Sequence, residues 1–406
     1  MIETLLVYNM LHTLLVIIGL CAASMAMAQP FVAQRYATRW TSNVRYAEAR
    51  NFRGGVDTLR MDIAEPVNDA ASQRPMILWI HGGGFAQGSR ADMRAVCERW
   101  AARGYVAVTI SYRLGFYSPW PVDPPFAYDT AEVIRACFRG IQDVRTGLKF
   151  LVTQAQQYRI DTSRVVIGGA SAGAMLALQS AVVDDSDPLP PALGAIGDVQ
   201  RAFDRFPRPS LGSLDGHAYQ ATPLPRLRAV INIFGGLFDL RLLNGKAFVP
   251  TYSYHQRNDP VVPCGINKCY WGLPFDVAAN YPRTYGSCAL QAELIRRDYP
   301  STWYETWIHE GGEHAIHNEL AVDLAAAIFC ARQISEPTSV VDADVAPSQP
   351  NEHVAIYNLT GACVTEGPLY SAAAVLPDGI YAVQSFSRSR VIIAVRSGNV
   401  YTAQSR

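Results

Sequence analysis

The pentapeptide Gly169-Ala170-Ser171-Ala172-Gly173 lies between a short β-branched run, Arg164 to Gly168, and the helix-forming run Ala174 to Ala181. On such a strand-to-helix turn the serine backbone is strained, and small neighbours let strand and helix pass closely. The hydroxyl is then exposed at a helix N-terminus, where the dipole favours developing negative charge. A hydroxyl so placed can attack an electrophilic carbonyl once a base takes its proton. About ninety residues earlier, the apolar run Met76 to Ile80 ends in His81-Gly82-Gly83-Gly84-Phe85. Three consecutive glycines cost backbone entropy and need a reason. Unhindered N–H groups at Gly83 and Gly84, joined by that of Ala172, supply one, because they can hold the oxyanion of a tetrahedral intermediate. The G-x-G-x-x-G spacing and the P-loop lysine are both missing, which disfavours a phosphate loop. His81 precedes the nucleophile and reads as a shaper of the loop rather than the base.

A serine nucleophile needs a histidine to remove its proton and a carboxylate to orient that histidine. Thr251 to His255 reads as a strand that places Asp259 just past its end, in Asn258-Asp259-Pro260-Val261-Val262-Pro263. Trp303 to Ile308 reads as another, leading through His309-Glu310-Gly311-Gly312-Glu313 to His314. Asp239, after the preceding strand, is the competing carboxylate, and the Asn-Asp-Pro-Val-Val-Pro surround favours Asp259. His317 reads as an exposed residue in the first turn of the last helix, His255 and His309 as satisfied locally, and Glu310 and Glu313 as solvated.

These residues require a scaffold of alternating strands and helices. Further strand runs are Val106 to Ile110, Val165 to Gly168 and Ala229 to Phe234; helical periodicity covers Asp92 to Arg103, Asp129 to Gln156 and Asn318 to Gln333. The pattern predicts an α/β fold with a mostly parallel sheet flanked by helices. Residues 184–226 carry seven prolines and read as an insertion, a cap or lid over the sheet with Phe203, Phe206 and Tyr219 available to a pocket, or else as a mobile surface loop. The loop Leu114 to Tyr128 offers Phe116, Tyr117, Trp120, Phe126 and Tyr128; with Phe85 these suggest an apolar substrate wall, although core packing would use the same rings.

Four motifs in this order, together with Ser89-Arg90, make residues 35 to 335 resemble an α/β-hydrolase of the carboxylesterase and lipase type with an HGGG oxyanion loop and a GxSxG elbow. The resemblance implies Ser171 as nucleophile, His314 as general base then acid, Asp259 as its orienter, and Gly83, Gly84 and Ala172 as oxyanion donors. It implies a serine carboxylic ester hydrolase working through an acyl-enzyme, without metal or cofactor, on a small or polymeric ester. Feruloyl or acetyl esterases and aromatic polyester hydrolases are variants of that reading. An exopeptidase on the same fold would need a propeller or an amine-binding acidic pair, neither of which is apparent. The non-enzymatic alternative is an adhesion or binding protein on a hydrolase fold.

Outside residues 29–335 the chain changes character. Leu14 to Ala23 is an apolar run too short to span a bilayer, and Ala26-Met27-Ala28 gives a small-x-small cleavage pattern, so residues 1–28 read as a signal peptide. Residues 336–352 have a linker composition, and residues 353–406 show short β-like runs between turn signals, predicting a small all-β, Ig-like module. Its Ile356-Tyr357-Asn358-Leu359-Thr360-Gly361 and Leu376-Pro377-Asp378-Gly379-Ile380-Tyr381 resemble the sorting domain of type IX secretion cargo in Bacteroidetes. That resemblance implies export machinery as a partner and a secreted or cell-surface location, reached through the periplasm of a Bacteroidetes-like bacterium. Loss of Cys21 would leave seven of eight cysteines; Cys264, Cys269 and Cys288 are the disulfide candidates, while Cys97, Cys137 and Cys330 read as buried thiols. No zinc-type spacing occurs. The 35 basic and 35 acidic side chains give zero net charge, and the basic ones are scattered, which argues against nucleic acid as a partner.

Overall fold

The computed structural model describes residues 30–245, 248–335 and five strands beyond them, so residues 1–28 and 336–352, read above as a signal peptide and a linker, lie outside the described residues. The chain divides into two units, one spanning Gln34–Ser335 and one containing the C-terminal strands.

In the larger unit, strands β1 (Thr38–Arg50), β2 (Val56–Pro66), β3 (Arg74–Ile80), β4 (Val106–Ile110), β5 (Ile160–Ala170), β8 (Leu227–Ile233), β10 (Thr251–Gln256) and β13 (Tyr304–His309) form one sheet. Their order is β1-β2-β4-β3-β5-β8-β10-β13, with β2 antiparallel to both neighbours and every pair from β4 to β13 parallel. This is the α/β-hydrolase architecture. β3 and β4 are buried along their whole length, which is why they are continuous apolar runs rather than alternating ones. β1 and β2 escaped the sequence reading. β1 is an edge strand that buries only Tyr46, so it has little apolar pattern to detect.

The flanking helices are α1 (Arg94–Ala102), α2 (Thr130–Thr153), the single turn α3 (Ala155–Tyr158), α4 (Ala172–Val182), α5 (Ser287–Arg296) and α6 (Glu319–Ile334). Asp129 caps α2 by accepting the Glu132 N–H at 3.1 Å, and Asn318 caps α6 through the Ala321 N–H at 3.1 Å. The proline-rich segment 184–226 holds a hairpin, β6 (Ile196–Arg201) and β7 (Asp204–Arg208), and several of its polar contacts run to α2. Arg135 donates to the Ala192 and Gly194 carbonyls, Gln142 to those of Leu211 and Ser213, and Lys149 to the Asp215 carboxylate. The segment thereby buries a polar helix face that would otherwise be solvated. Phe203, offered above to a pocket, is fully exposed, and the Tyr219 hydroxyl donates to the Tyr46 carbonyl at the sheet edge.

A smaller sheet is formed by β9 (Gly236–Leu237), β11 (Ile266–Lys268) and β12 (Arg283–Gly286), in the order β11-β12-β9. Cys264 and Cys288 form a disulfide across this region, whereas Cys269 is a buried free thiol 3.4 Å from the Thr284 hydroxyl. Burial pushes the Cys269 thiol up to about 12, so it is neutral and unreactive at ordinary pH. The bridge closes a sequence separation of 24 residues. Reducing it, or Cys264→Ser, is expected to cost about 3 kcal/mol and lower the melting temperature by roughly 5 °C. Differential scanning calorimetry with and without reductant measures this; identical curves would show that the bridge does not constrain the loop.

The second unit contains β14 (His353–Tyr357), β15 (Cys363–Pro368), β16 (Gly379–Ser385), β17 (Val391–Arg396) and β18 (Val400–Gln404), an antiparallel sheet in the order β15-β14-β16-β17-β18. One sheet, rather than the two of an Ig-like sandwich, is present among the described residues.

Candidate active site

Ser171 sits between the last residue of β5 and the first of α4, with φ 57° and ψ −125°. Its strained backbone is fixed from both sides: its N–H donates to the Ile233 carbonyl at 2.9 Å, and its carbonyl accepts the Met175 N–H at 3.0 Å. Gly173 explains the tight passage of α4, because a Cβ there would overlap the Ile80 and His81 carbonyls at the end of β3. The missing side chain brings Ser171 and the Gly82–Gly84 loop together.

In that loop the N–H groups of Gly83, Gly84 and Ala172 donate to no protein acceptor among the described residues. They are three donors left for a ligand oxygen. His81 is buried and stacked on Tyr112 at 4.4 Å, with Nδ1 2.8 Å from the Gly82 carbonyl. The Tyr112 hydroxyl donates to the His81 carbonyl at 3.2 Å, so both rings brace the loop. Burial holds the His81 imidazole below its ordinary value and keeps it neutral. Gly84 has φ 61°, and a Cβ there would run into the Tyr270 hydroxyl. Gly84→Ala is therefore expected to lower kcat roughly a hundredfold by displacing a donor. Adding Tyr270→Phe, which removes the obstructing oxygen, should restore part of it; steady-state kinetics on an aryl acetate checks both, and an unimpaired Gly84→Ala enzyme would place the oxyanion elsewhere.

His314 Nε2 lies 2.8 Å from Ser171 Oγ, and Nδ1 lies 2.7 Å from Asp259 Oδ2. With the proton on Nδ1 donated to the carboxylate, Nε2 is free to accept the serine proton. The ring packs against Phe234 at 4.6 Å. Asp259 is fully buried. Its Oδ1 accepts the Val261 and Val262 N–H groups at 2.8 and 3.0 Å. Burial pushes its carboxyl up, but hydrogen bonds from His255 and His314 outweigh this and hold it below the usual aspartate value. The rival Asp239 lies away from His314: it caps the turn Leu240–Leu243 and pairs with Arg241 at 2.6 Å.

Two further residues support this arrangement: Gln256, which the sequence reading passed over, and His255, which it read as satisfied locally. Gln256, buried at the end of β10, accepts the Glu313 N–H at 2.9 Å and donates to the Ala315 carbonyl at 3.0 Å, so it grips the chain on both sides of His314. His255, also buried, places Nε2 2.9 Å from the Val262 carbonyl and 3.4 Å from Asp259 Oδ2, with Nδ1 2.8 Å from the Ser287 hydroxyl. Both residues are strand-end polar groups, a signal that sequence offers without saying what they meet. His317 lies just before the α6 cap, stacked on His309 at 3.9 Å and 3.0 Å from the Tyr254 hydroxyl. Glu310 pairs with Arg257 in solvent.

The aromatic wall differs from expectation. Phe85 and Phe116 are buried in the core, Tyr117 stacks on Phe206, and Trp120 is 66% exposed. Three anchors turn the loop inward: Gly115 N–H to the Phe85 carbonyl, Arg139 to the Gly115 carbonyl, and Tyr117 N–H to Glu132. Other rings stand nearer the triad: Trp271 donates to the Asp259 carbonyl at 2.8 Å, and Tyr270 faces Gly84.

The BD-FAE family matches residues 61–247, less than half of the 406 and short of Asp259 and His314. Gut esterase 1 of Caenorhabditis elegans is 29% identical over 146 residues, covering 36% of this chain and 24% of its own length. The fumonisin B1 esterase of Sphingopyxis macrogoltabida is 28% identical over 142 residues, covering 35% and 26%. The chain thus spans about a quarter of the length of these curated relatives. Among solved structures, esterase 2 of Thermogutta terrifontis, phosphonylated by cyclosarin, is 18% identical, covers 73% of this chain and 96% of its own, and has a TM-score of 0.46. The chain is thus similar, over about a third of its length, to proteins named as esterases, and the BD-FAE match spans Gly83, Gly84 and Ser171.

Proposed function

We propose that this protein is a secreted serine carboxylic ester hydrolase with Ser171, His314 and Asp259 as its triad and Gly83, Gly84 and Ala172 as its oxyanion donors. The observation that carries the reading is the continuous chain Asp259–His314–Ser171, with contacts of 2.7 and 2.8 Å, beside three N–H groups without protein acceptors among the described residues. The Ser171 proton passes to His314 Nε2 as Oγ bonds to the ester carbonyl carbon, and the three N–H groups hold the resulting oxyanion. Collapse breaks the bond to the alcohol oxygen, which leaves with the proton from His314, and Ser171 remains acylated. Water then donates a proton to His314 and attacks the acyl carbon; the acid departs and Ser171 recovers its proton. Asp259 stays ionised throughout.

Exposed Trp271, beside the Asp259 carbonyl, and Phe234, against His314, favour esters carrying an aromatic or bulky apolar group. The signal pattern at residues 1–28 and the sorting-like motifs within 353–406 support export to the medium or cell surface. Turnover of acetyl, butyryl, feruloyl and terephthaloyl esters tests the activity and ranks the acyl groups, and a serine-directed fluorophosphonate tests the nucleophile. Absence of labelling at Ser171, with no turnover across the panel, would leave a binding protein on a hydrolase fold.

A further inference from the structure

A cavity of about 470 Å³ opens away from the triad, between α2, the β1–β2 turn and the segment after β7. None of Ser171, Asp259, His314 or the oxyanion residues lines it. Six arginines do, and their partners set them apart. Arg113 is neutralised by Asp143 at 2.7 Å, and Arg208 by Asp129 at 2.7 Å and Glu132 at 3.4 Å. Arg135 and Arg139 are each only 3% exposed, yet neither has a carboxylate within ion-pair distance among the described residues. Arg135 donates to the carbonyls of Ala192, Gly194 and Pro209. Arg139 donates to the Gly115 carbonyl at 2.8 Å, and its buried Nε has no hydrogen-bond partner among the described residues. At the rim, Arg50 donates to the Gly54 carbonyl and Arg53 lies over the Phe52 ring, again without a carboxylate.

Buried guanidinium groups are ordinarily paired with anions, because an unpaired buried charge loses its hydration with no return. Burial pushes Arg139 down to about 10, so it stays cationic at neutral pH while poorly solvated. The remaining wall is mixed, with the carboxylates of Glu48, Glu132 and Asp143 outnumbered by the six arginines, and with aromatic rings among which Tyr117 stacks on Phe206 at 4.7 Å and meets the edge of Phe52 at 5.0 Å. The volume lies within the range of small-molecule sites. A planar fork of donors calls for a carboxylate, and flat rings beside it call for an aromatic body.

We propose that this cavity is a second binding site, separate from the triad, that takes an aromatic carboxylate anchored on Arg139 and packed against Tyr117 and Phe206. Calorimetric titration of the full chain with benzoate and, separately, with inorganic phosphate tests it. Benzoate is expected to bind saturably at one site and more tightly than phosphate, Arg139→Gln to weaken it at least about tenfold, and Ser171→Ala to leave it unchanged. Absence of saturable benzoate binding, phosphate binding as tight as benzoate, or benzoate binding that survives Arg139→Gln but is lost with Ser171→Ala would each overturn the proposal. Should Arg139→Gln fail to fold, Phe206→Ala decides: the site requires weaker benzoate binding with phosphate unaffected, and unchanged benzoate binding refutes it.

Discussion

Ser171→Gly is expected to give a protein that is inactive and yet more stable than the parent. The φ of 57° with ψ of −125° lies where a side chain is strained, and such a position costs on the order of 1–3 kcal/mol. Glycine removes that strain but loses up to about 1 kcal/mol through the greater freedom of its unfolded chain, leaving a net gain of about 1 kcal/mol. Ser171→Ala keeps the Cβ and the strain, so it should be equally inactive without the gain. Removal of the nucleophile from such a triad lowers kcat by on the order of 10⁶-fold. Chemical denaturation of the three proteins beside their turnover of one aryl ester makes the comparison. A Ser171→Gly protein less stable than Ser171→Ala would show that the elbow is not strained in solution, and turnover retained by either variant would remove Ser171 from the mechanism.

The second large effect belongs to Asp259. Asp259→Asn is expected to lower kcat by about 10⁴-fold with little change in shape. The amide can donate to His314 Nδ1, which forces the imidazole proton onto Nε2, where it faces Ser171 Oγ across 2.8 Å and cannot accept a proton. Asp239→Asn should leave turnover within about twofold, because that carboxylate holds only its own turn and Arg241. Equal losses from the two substitutions would contradict the assignment of the orienting acid. A stability effect accompanies the catalytic one. The Asp259 carboxyl is held below its ordinary value, so its contribution is present above the unfolded-state value near about 3.9 and is lost as pH falls through the lower folded value. Acid titration of the Asp259→Asn protein should accordingly lack that part of the destabilisation.

Local sequence carried the parts of the site whose geometry is local. A GxSxG turn between a strand and a helix can hardly expose its serine otherwise, and the run of glycines after Ile80 marks where backbone must approach a ligand. The central strands β3, β4 and β5 were legible because strands buried on both faces are continuous apolar runs. β1 was not, since a half-solvated edge strand carries so few apolar positions.

What the sequence points to by itself is the proposed chemistry: Ser171 as nucleophile, His314 as base and Gly83, Gly84 and Ala172 as oxyanion donors, each tied to the chain segment that shapes it. Tertiary structure decided the partners. Asp259 rather than Asp239 meets His314 because β10 runs parallel to β13 in a register that brings their following loops side by side. Gln256 acquires its bracing role from that same crossing, 59 residues from the carbonyl it holds, and His255 meets the Ser287 hydroxyl 32 residues away. Cys264 pairs with Cys288 and leaves Cys269 reduced. The aromatic loop, read as a substrate wall, turns into the core because Arg139 and Glu132 of α2 fasten its backbone. Spacing along a chain fixes what a residue can do, but which group it does it with depends on long-range packing that no local pattern encodes.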